Sequence, residues 1–307
     1  MKNKTISEIV HCLNCGSAAL LLAKEGEQLQ CKSCGKTYPI KKGVPVFLSE
    51  TDTEKSVETD LHKTHGSVFN YVDHYQKDGV ENDYFKDRDA GTEHLDKRVH
   101  QTILSQIKHK SGRVLDVGCG RAWVAREMCP KNYEVVSMDI SHENTSGALE
   151  RYPFGNHSAV VADVFNLPFN ENTFDVIIAS EIIEHVVDPT KFVENLIRVL
   201  KPRGALIITT PYKEKLSYSL CVHCNKLTPL HAHIHSFDEK ILTSLYQGKD
   251  LAECHYLTFA NQIPIHLRMH VLYKYFSFWC WRMTDRVFNL LYHRPIRILV
   301  KWQKSEV

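Results

Sequence analysis

The chain has 307 residues, 43% of them apolar, and a formal net charge of +2. That supports one full mixed domain plus a small module, and it excludes wholesale disorder and a general nucleic-acid-binding surface. No stretch reaches the run of about 18 uncharged apolar residues that a spanning helix needs. No apolar signal region precedes the first cysteine pair, so the ten cysteines read as reduced thiols of a cytoplasmic protein, the paired ones holding metal.

Residues 1–50 form the first unit. Cys12-x2-Cys15-x15-Cys31-x2-Cys34 has the paired-knuckle spacing of tetrahedral zinc. Four thiolates leave no open position, so the expected zinc is structural, and in so short a segment it supplies on the order of 10 kcal/mol of folding energy. A redox role for the pairs is the weaker alternative. Residues 51–93 read as a polar linker and an N-terminal cap, with Phe69, Tyr71, Tyr75, Tyr84 and Phe85 set among acids. Tyr71, His74 and Tyr75 either close over a bound ligand or pack as ordinary helix residues.

The main domain is expected over 94–262. An amphipathic helix is predicted from His94 to Ile107, with Leu95, Val99, Ile103, Leu104 and Ile107 on one face. Buried strands are predicted at 113–117, 134–138, 159–161, 174–179 and 205–209, with a helix at 189–200. This alternation predicts a doubly wound α/β fold with a mostly parallel, Rossmann-like sheet. The first strand ends at Asp116 and turns through Gly118, Cys119 and Gly120; the second ends at Asp139 beside Ile140, the third at Asp163 beside Val164. The glycines permit a tight turn and close ligand approach, and an acid at the second strand end suits ribose hydroxyls. Three acids at three successive strand ends are more selective than a glycine loop alone. A plain dinucleotide-binding domain taking NAD is disfavoured by the missing third glycine at Ala122 and by the Asp163–Val164 pair.

On these residues, over about 94–212, the sequence resembles the class I S-adenosylmethionine-dependent methyltransferases. The resemblance implies that Asp116, Gly118, Cys119, Gly120, Asp139, Ile140, Asp163, Val164 and Ser180 hold S-adenosylmethionine. It implies that the run from Phe174 to Glu181 lines the methyl-transfer site. Glu181, Glu184 and His185, if helical, would share one face; Glu181 and His185 are the candidate catalytic residues. The Glu-x-x-Glu-His pattern is similar to that of quinone-biosynthesis O-methyltransferases, where such residues can hold a divalent cation; the competing reading is a structural His185. The N-terminal unit resembles the zinc ribbons related to methyltransferase activators, which implies docking on the catalytic domain or on a protein partner.

An insertion at about 212–236 carries Cys221, Cys224, His231, His233 and His235. Cys221 and Cys224 with two histidines, His233 and His235, would suffice for a second zinc; an ordinary polar loop, or histidines that orient substrate, are the alternatives. Residues 263–307 are expected to be a basic, aromatic helical segment. Leu272, Phe276, Trp279, Met283, Val287, Leu290 and Leu291 follow helical spacing, and Asp285 is the only acid from Leu267 to Lys304. Such a helix either packs on its own domain or a partner, or lies in a membrane surface, peripheral to the inner face. The expected activity is methyl transfer to a small-molecule or lipid-linked acceptor, O- or N-methylation ahead of C-methylation. A non-catalytic scaffold that binds a partner through its ribbon is the alternative.

Overall fold

The computed structural model describes residues 2–48, 70–222 and 225–306; Phe69, His223 and Cys224 fall outside them, as does most of the expected linker. A short helix, α1 (Lys2–Ile9), leads into a four-stranded antiparallel ribbon, β1 (Leu20–Ala23), β2 (Gln28–Cys31), β3 (Thr37–Lys41) and β4 (Val44–Pro45). The cap helix α2 (Tyr71–Glu81) and α3 (Ala90–Leu104) follow. Asn70 and Asp89 cap them by accepting from backbone amides of their first turns.

The main sheet is built from β5 (Gly112–Val117), β6 (Tyr133–Asp139), β7 (His157–Val161), β8 (Phe174–Ser180), β9 (Leu200–Pro211), β12 (Leu251–Asn261) and β13 (Pro295–Lys304), with β10 (Tyr218–Leu220) and β11 (Leu227–Pro229) forming a separate hairpin. Its order is β12-β13-β9-β8-β5-β6-β7. Strands β5 to β9 pair in parallel, and β13 is antiparallel to both its neighbours. The winding reverses between β5 and β8, so a crevice opens beyond their carboxyl ends, where ligands bind in such sheets. Val114, Leu115, Val135, Val160, Ile177, Ile178, Leu206 and Ile207 are buried, which is why these strands are continuous apolar runs.

The helices follow from caps and spacing. In α6 (Pro189–Val199), Pro189 occupies the first turn and Asp188 accepts from the amide of Lys191, while Phe192, Val193, Leu196, Ile197 and Val199 are buried. The cap docks through two glycines. A Cβ on Gly79 of α2 would lie 2.0 Å from Oγ of Ser141, which caps α5 (His142–Arg151); one on Gly147 of α5 would lie 2.7 Å from the ring of Phe85.

The ribbon is fastened to the edge of this sheet. The amide of His11 donates to the carbonyl of Pro168 at 2.7 Å, that of Asn170 to Ile9 at 2.9 Å, and that of Phe47 to Val161 at 2.9 Å. Val46 bridges Val161 in parallel. Ile6, Ile9, Val10, Leu29, Tyr38 and Phe47 share one apolar core with Val136, Val160, Phe169 and Phe174.

The C-terminal segment differs from the helical expectation. Beyond α7 (Glu239–Ser244), helices run only through α8 (Gln262–His266), α9 (His270–Tyr273) and α10 (Phe278–Leu291), after which β13 re-enters the sheet. Ile298, Leu299, Val300 and Trp302 are buried there, and they secure the strand despite its basic residues. All seven residues of the predicted apolar stripe, Leu272 to Leu291, are solvent-exposed; Tyr273, Trp281 and Asp285 face inward instead.

Asp285 anchors α10. Its two oxygens accept from the amides of Ala260 and Asn261 at 3.1 and 2.7 Å, at the end of β12. Asp285→Ala strands both amides in the interior and should lower the unfolding free energy by about 2–4 kcal/mol. The expected readout is a lower urea midpoint at unchanged slope, with a smaller loss for Asp285→Asn, which keeps an acceptor.

Candidate active site

One cavity of about 880 Å³ opens at the crevice. Gly118, Cys119, Gly120, Asp139, Ile140, Asp163, Val164, Ser180, Glu181 and His185 all line it. Backbone geometry explains the glycine turn. Gly118 and Gly120 have φ of +66° and +42°, and a Cβ on Gly118 would fall 2.4 Å from the side chain of Ile182. Ala122, at the third-glycine position, also adopts a left-handed φ of 51° and caps the following helix, α4 (Trp123–Met128).

Asp139 ties two loops together. Its carboxylate accepts from the amides of Gly120 at 3.2 Å and Ser141 at 2.9 Å, and from the side-chain amide of Asn144 at 3.2 Å. Burial pushes its pKa up, and these donors oppose the shift. Asp163 accepts from the amide of Phe165 at 2.9 Å and from the Tyr71 hydroxyl at 2.5 Å. Tyr75 meets His185 edge-on, with ring centroids 6.0 Å apart. The side chain of Gln76 donates to the carbonyl of Ile140, and Tyr84 lies against Gly120. Tyr71, Tyr75, Tyr84 and Phe85 line the cavity, and His74 is not among the lining residues. Asp116 stands apart: it is buried in β5 outside the lining, and its Oδ2 has no hydrogen-bond partner. Burial, then the nearby Asp139, push its pKa well up.

The other end of the cavity departs from the one-face expectation. Only Ile183–His185 form a short 3-10 turn, and Glu181 precedes it with a left-handed φ of 56°. Glu181 therefore parts from Glu184 and His185, whose donor atoms stay within 4.8 Å of each other. Glu181 meets Arg297 of β13 as an ion pair at 2.7 Å, and its Oε1 is buried without a partner. Burial raises the Glu181 pKa, against the pull of Arg297. Glu184 is buried and accepts from the Thr210 hydroxyl at 2.9 Å; burial, then Glu181, push its pKa well up. His185 is pushed down to about 4 by burial, so its imidazole is neutral, and its Nδ1 is buried without a partner. Ser180 shares a hydroxyl contact of 3.1 Å with Thr209.

The insertion joins this end. Donor atoms of Glu184, His185 and His233 lie within 4.8 Å of one another. His233 thus meets the Glu-x-x-Glu-His segment, and Cys221 is not in that group. Cys221 sits at the hairpin tip, where its amide donates to the carbonyl of Lys226. His235 lies beside Phe237, with ring centroids 5.9 Å apart. Sequence reasoning missed Arg297, Asn144 and Glu214, whose roles depend on strand order or on long-range pairing.

In the ribbon, the sulfurs of Cys12, Cys15, Cys31 and Cys34 lie within 4.8 Å of one another. Two pairs, Cys12–Cys34 and Cys15–Cys31, are 3.6 Å apart, close to the edge of about 3.8 Å of a tetrahedron with Zn–S bonds of about 2.3 Å. All four are free thiols. The Tyr38 hydroxyl lies 3.3 Å from the sulfur of Cys12 and accepts from the amide of Leu13, a supporting contact of the kind that orients metal ligands.

Residues 87–255 match the family described as "Methyltransferase domain". They make up more than half of the sequence, and the chain belongs to that family. Over 114 residues it is 33% identical to the mitochondrial ubiquinone biosynthesis O-methyltransferase of Bos taurus, covering 35% of this chain and 31% of that protein. Over 109 residues it is 33% identical to the ubiquinone biosynthesis O-methyltransferase of Rickettsia bellii, covering 35% and 45%. The chain therefore spans less than half the length of these relatives. The solved structure of 1,6-didemethyltoxoflavin-N1-methyltransferase from Burkholderia thailandensis superposes with a TM-score of 0.49 at 13% identity, over 76% of this chain and 89% of that one.

Gly118→Ala combines a left-handed backbone with a clash against Ile182. It should cost about 2–4 kcal/mol of stability. Adding Ile182→Ala should recover the steric part alone, leaving a double-mutant coupling measurable by denaturant unfolding.

Proposed function

We propose that the protein is an S-adenosylmethionine-dependent methyltransferase acting on a hydroxyl of a small-molecule or lipid-linked acceptor. The observation that carries this reading is the convergence of the glycine turn, Asp139, Asp163, Glu181 and His185 on one cavity. The site fits the cofactor. Gly118 and Gly120 turn the backbone along the cavity with left-handed φ, Asp139 and Asp163 line it after the second and third strands, and the unpartnered Asp116 Oδ2, buried behind that turn, suits a water-bridged contact to the positive amino-acid end. Bound there, S-adenosylmethionine supplies a methyl group on a sulfonium, displaced in line by a nucleophile. Tyr71, Tyr75 and Tyr84 of the cap exclude water from that displacement. Glu181 Oε1 accepts the acceptor's hydroxyl proton, its basicity raised by burial, while Arg297 holds the other oxygen. Neutral His185 orients the acceptor. O-methylation is favoured by the named activity of the two relatives.

The C-terminal helices suit a membrane-proximal acceptor. Trp279, Met283, Val287, Leu290 and Leu291 are exposed, and Arg268, Lys274, Arg282 and Arg286 lie among them. Asp285, the only acid there, is buried. An apolar, aromatic and basic surface of this kind binds anionic lipid headgroups. Among the described residues no helix is long and apolar enough to cross a membrane, so contact would be peripheral, from the cytoplasmic side. The ribbon, with a structural zinc, docks on the chain's own β7 edge; its remaining surface is open to a protein partner.

Calorimetric titration should give binding of S-adenosylmethionine and none of NAD, and Asp139→Ala should weaken the former at least about tenfold. Absence of cofactor binding by the folded protein would favour the non-catalytic scaffold. In sedimentation with phosphatidylglycerol vesicles, the protein should bind in low salt and dissociate as ionic strength rises. Trp279→Glu together with Leu290→Glu should abolish that binding without altering cofactor affinity.

A further inference from the structure

The insertion that follows β9 is locked onto the acceptor end of the cavity. The amides of Ile234 and His235 both donate to the carbonyl of Glu184, at 2.9 and 3.2 Å. This clamp brings the His233 ring to His185, with centroids 4.7 Å apart, and places the donor atoms of Glu184, His185 and His233 within 4.8 Å of one another. Three further observations point to a ligand among them. The Nδ1 of His185 is buried and unpartnered, and an imidazole nitrogen shut away from water without a donor is costly unless something else meets it. His233 contacts Glu214 through its own Nδ1, at 2.6 Å. A carboxylate on one ring nitrogen fixes the tautomer that offers the other to a metal. Glu184, finally, is oriented by the Thr210 hydroxyl. Glu181, which would complete the Glu-x-x-Glu-His set, is turned away by its left-handed backbone and paired with Arg297.

We propose that Glu184, His185 and His233 form a divalent transition-metal site, with Glu214 supporting His233 from behind. The insertion supplies the third ligand in place of Glu181. Two imidazoles and one carboxylate favour zinc, iron or manganese over magnesium or calcium, which prefer all-oxygen shells. Three protein ligands leave positions open for an outside molecule. His185 lines the cavity, so the acceptor oxygen is the fitting further ligand. A cation held there would lower the pKa of that oxygen, and Glu181, whose side chain lines the same cavity, would receive its proton. The metal site stands without the methyl-transfer reading; only its role toward the acceptor rests on that reading.

Full-length protein is stripped of metal, reloaded with zinc or cobalt, and its bound metal counted by mass spectrometry. Wild-type chain should hold two equivalents, one in the ribbon and one here. His233→Ala and Glu184→Gln should each hold one, Cys221→Ser should hold two, and Glu214→Gln should weaken the second equivalent about 10–100-fold. With cobalt, the ribbon should show an intense thiolate charge-transfer band and the second equivalent only weak visible bands, because its donors are nitrogen and oxygen. A single equivalent in wild-type protein overturns the proposal, as does retention of two in His233→Ala. Loss of the second on Cys221→Ser, or a thiolate band accompanying it, assigns the ion to the cysteines and overturns it as well. Wild-type spectra need no variant, so a misfolded substitution does not obscure the result. Cofactor titration of the same samples reads the methyltransferase assignment separately.

Discussion

The carboxylate of Asp139 holds the cavity's geometry. It receives donors from the glycine turn after β5 and from the loop after β6, so two independent strand ends are fixed by one buried charge. Three donors offset much of its desolvation, and they set the glycine turn at one distance from the neighbouring strand. The cap is positioned through the same loop: Gly79 abuts Ser141, and Gln76 reaches the carbonyl of Ile140.

The far end of the cavity obeys a different constraint, the return of the chain through the sheet. After the helical excursion from 262 to 291, β13 inserts between β9 and β12 and carries Arg297 to Glu181. One continuous segment thus presents an apolar surface outward and an ion-pair partner for Glu181 inward.

The parallel strands were legible in the sequence because burial on both faces makes them apolar runs, and each forms within a few residues of its predicted span, β9 extending furthest. The acids at the strand ends were legible for the same reason: they mark where a buried run meets a crevice. β12 and β13 were hidden, the first by an exposed start from Ala252 to Tyr256, the second by Arg297, Lys301 and Lys304, which made a strand resemble the basic helix before it. The helix registry expected of Glu181, Glu184 and His185 failed on one backbone torsion, which no side-chain pattern encodes. The destination of His233 was likewise illegible, since it depends on hydrogen bonds between the insertion and the Glu184 carbonyl. Cysteine spacing identified the ribbon, but not the strand edge it grips.

That grip has a consequence beyond folding of the ribbon. β7 is the last strand of the sheet, and Val46 and Phe47 cover part of its open side. An uncovered edge offers unpaired amides and carbonyls to any other chain. With zinc on the four cysteines as proposed, the metal would guard against intermolecular strand pairing, and the protein's solubility would track metal supply.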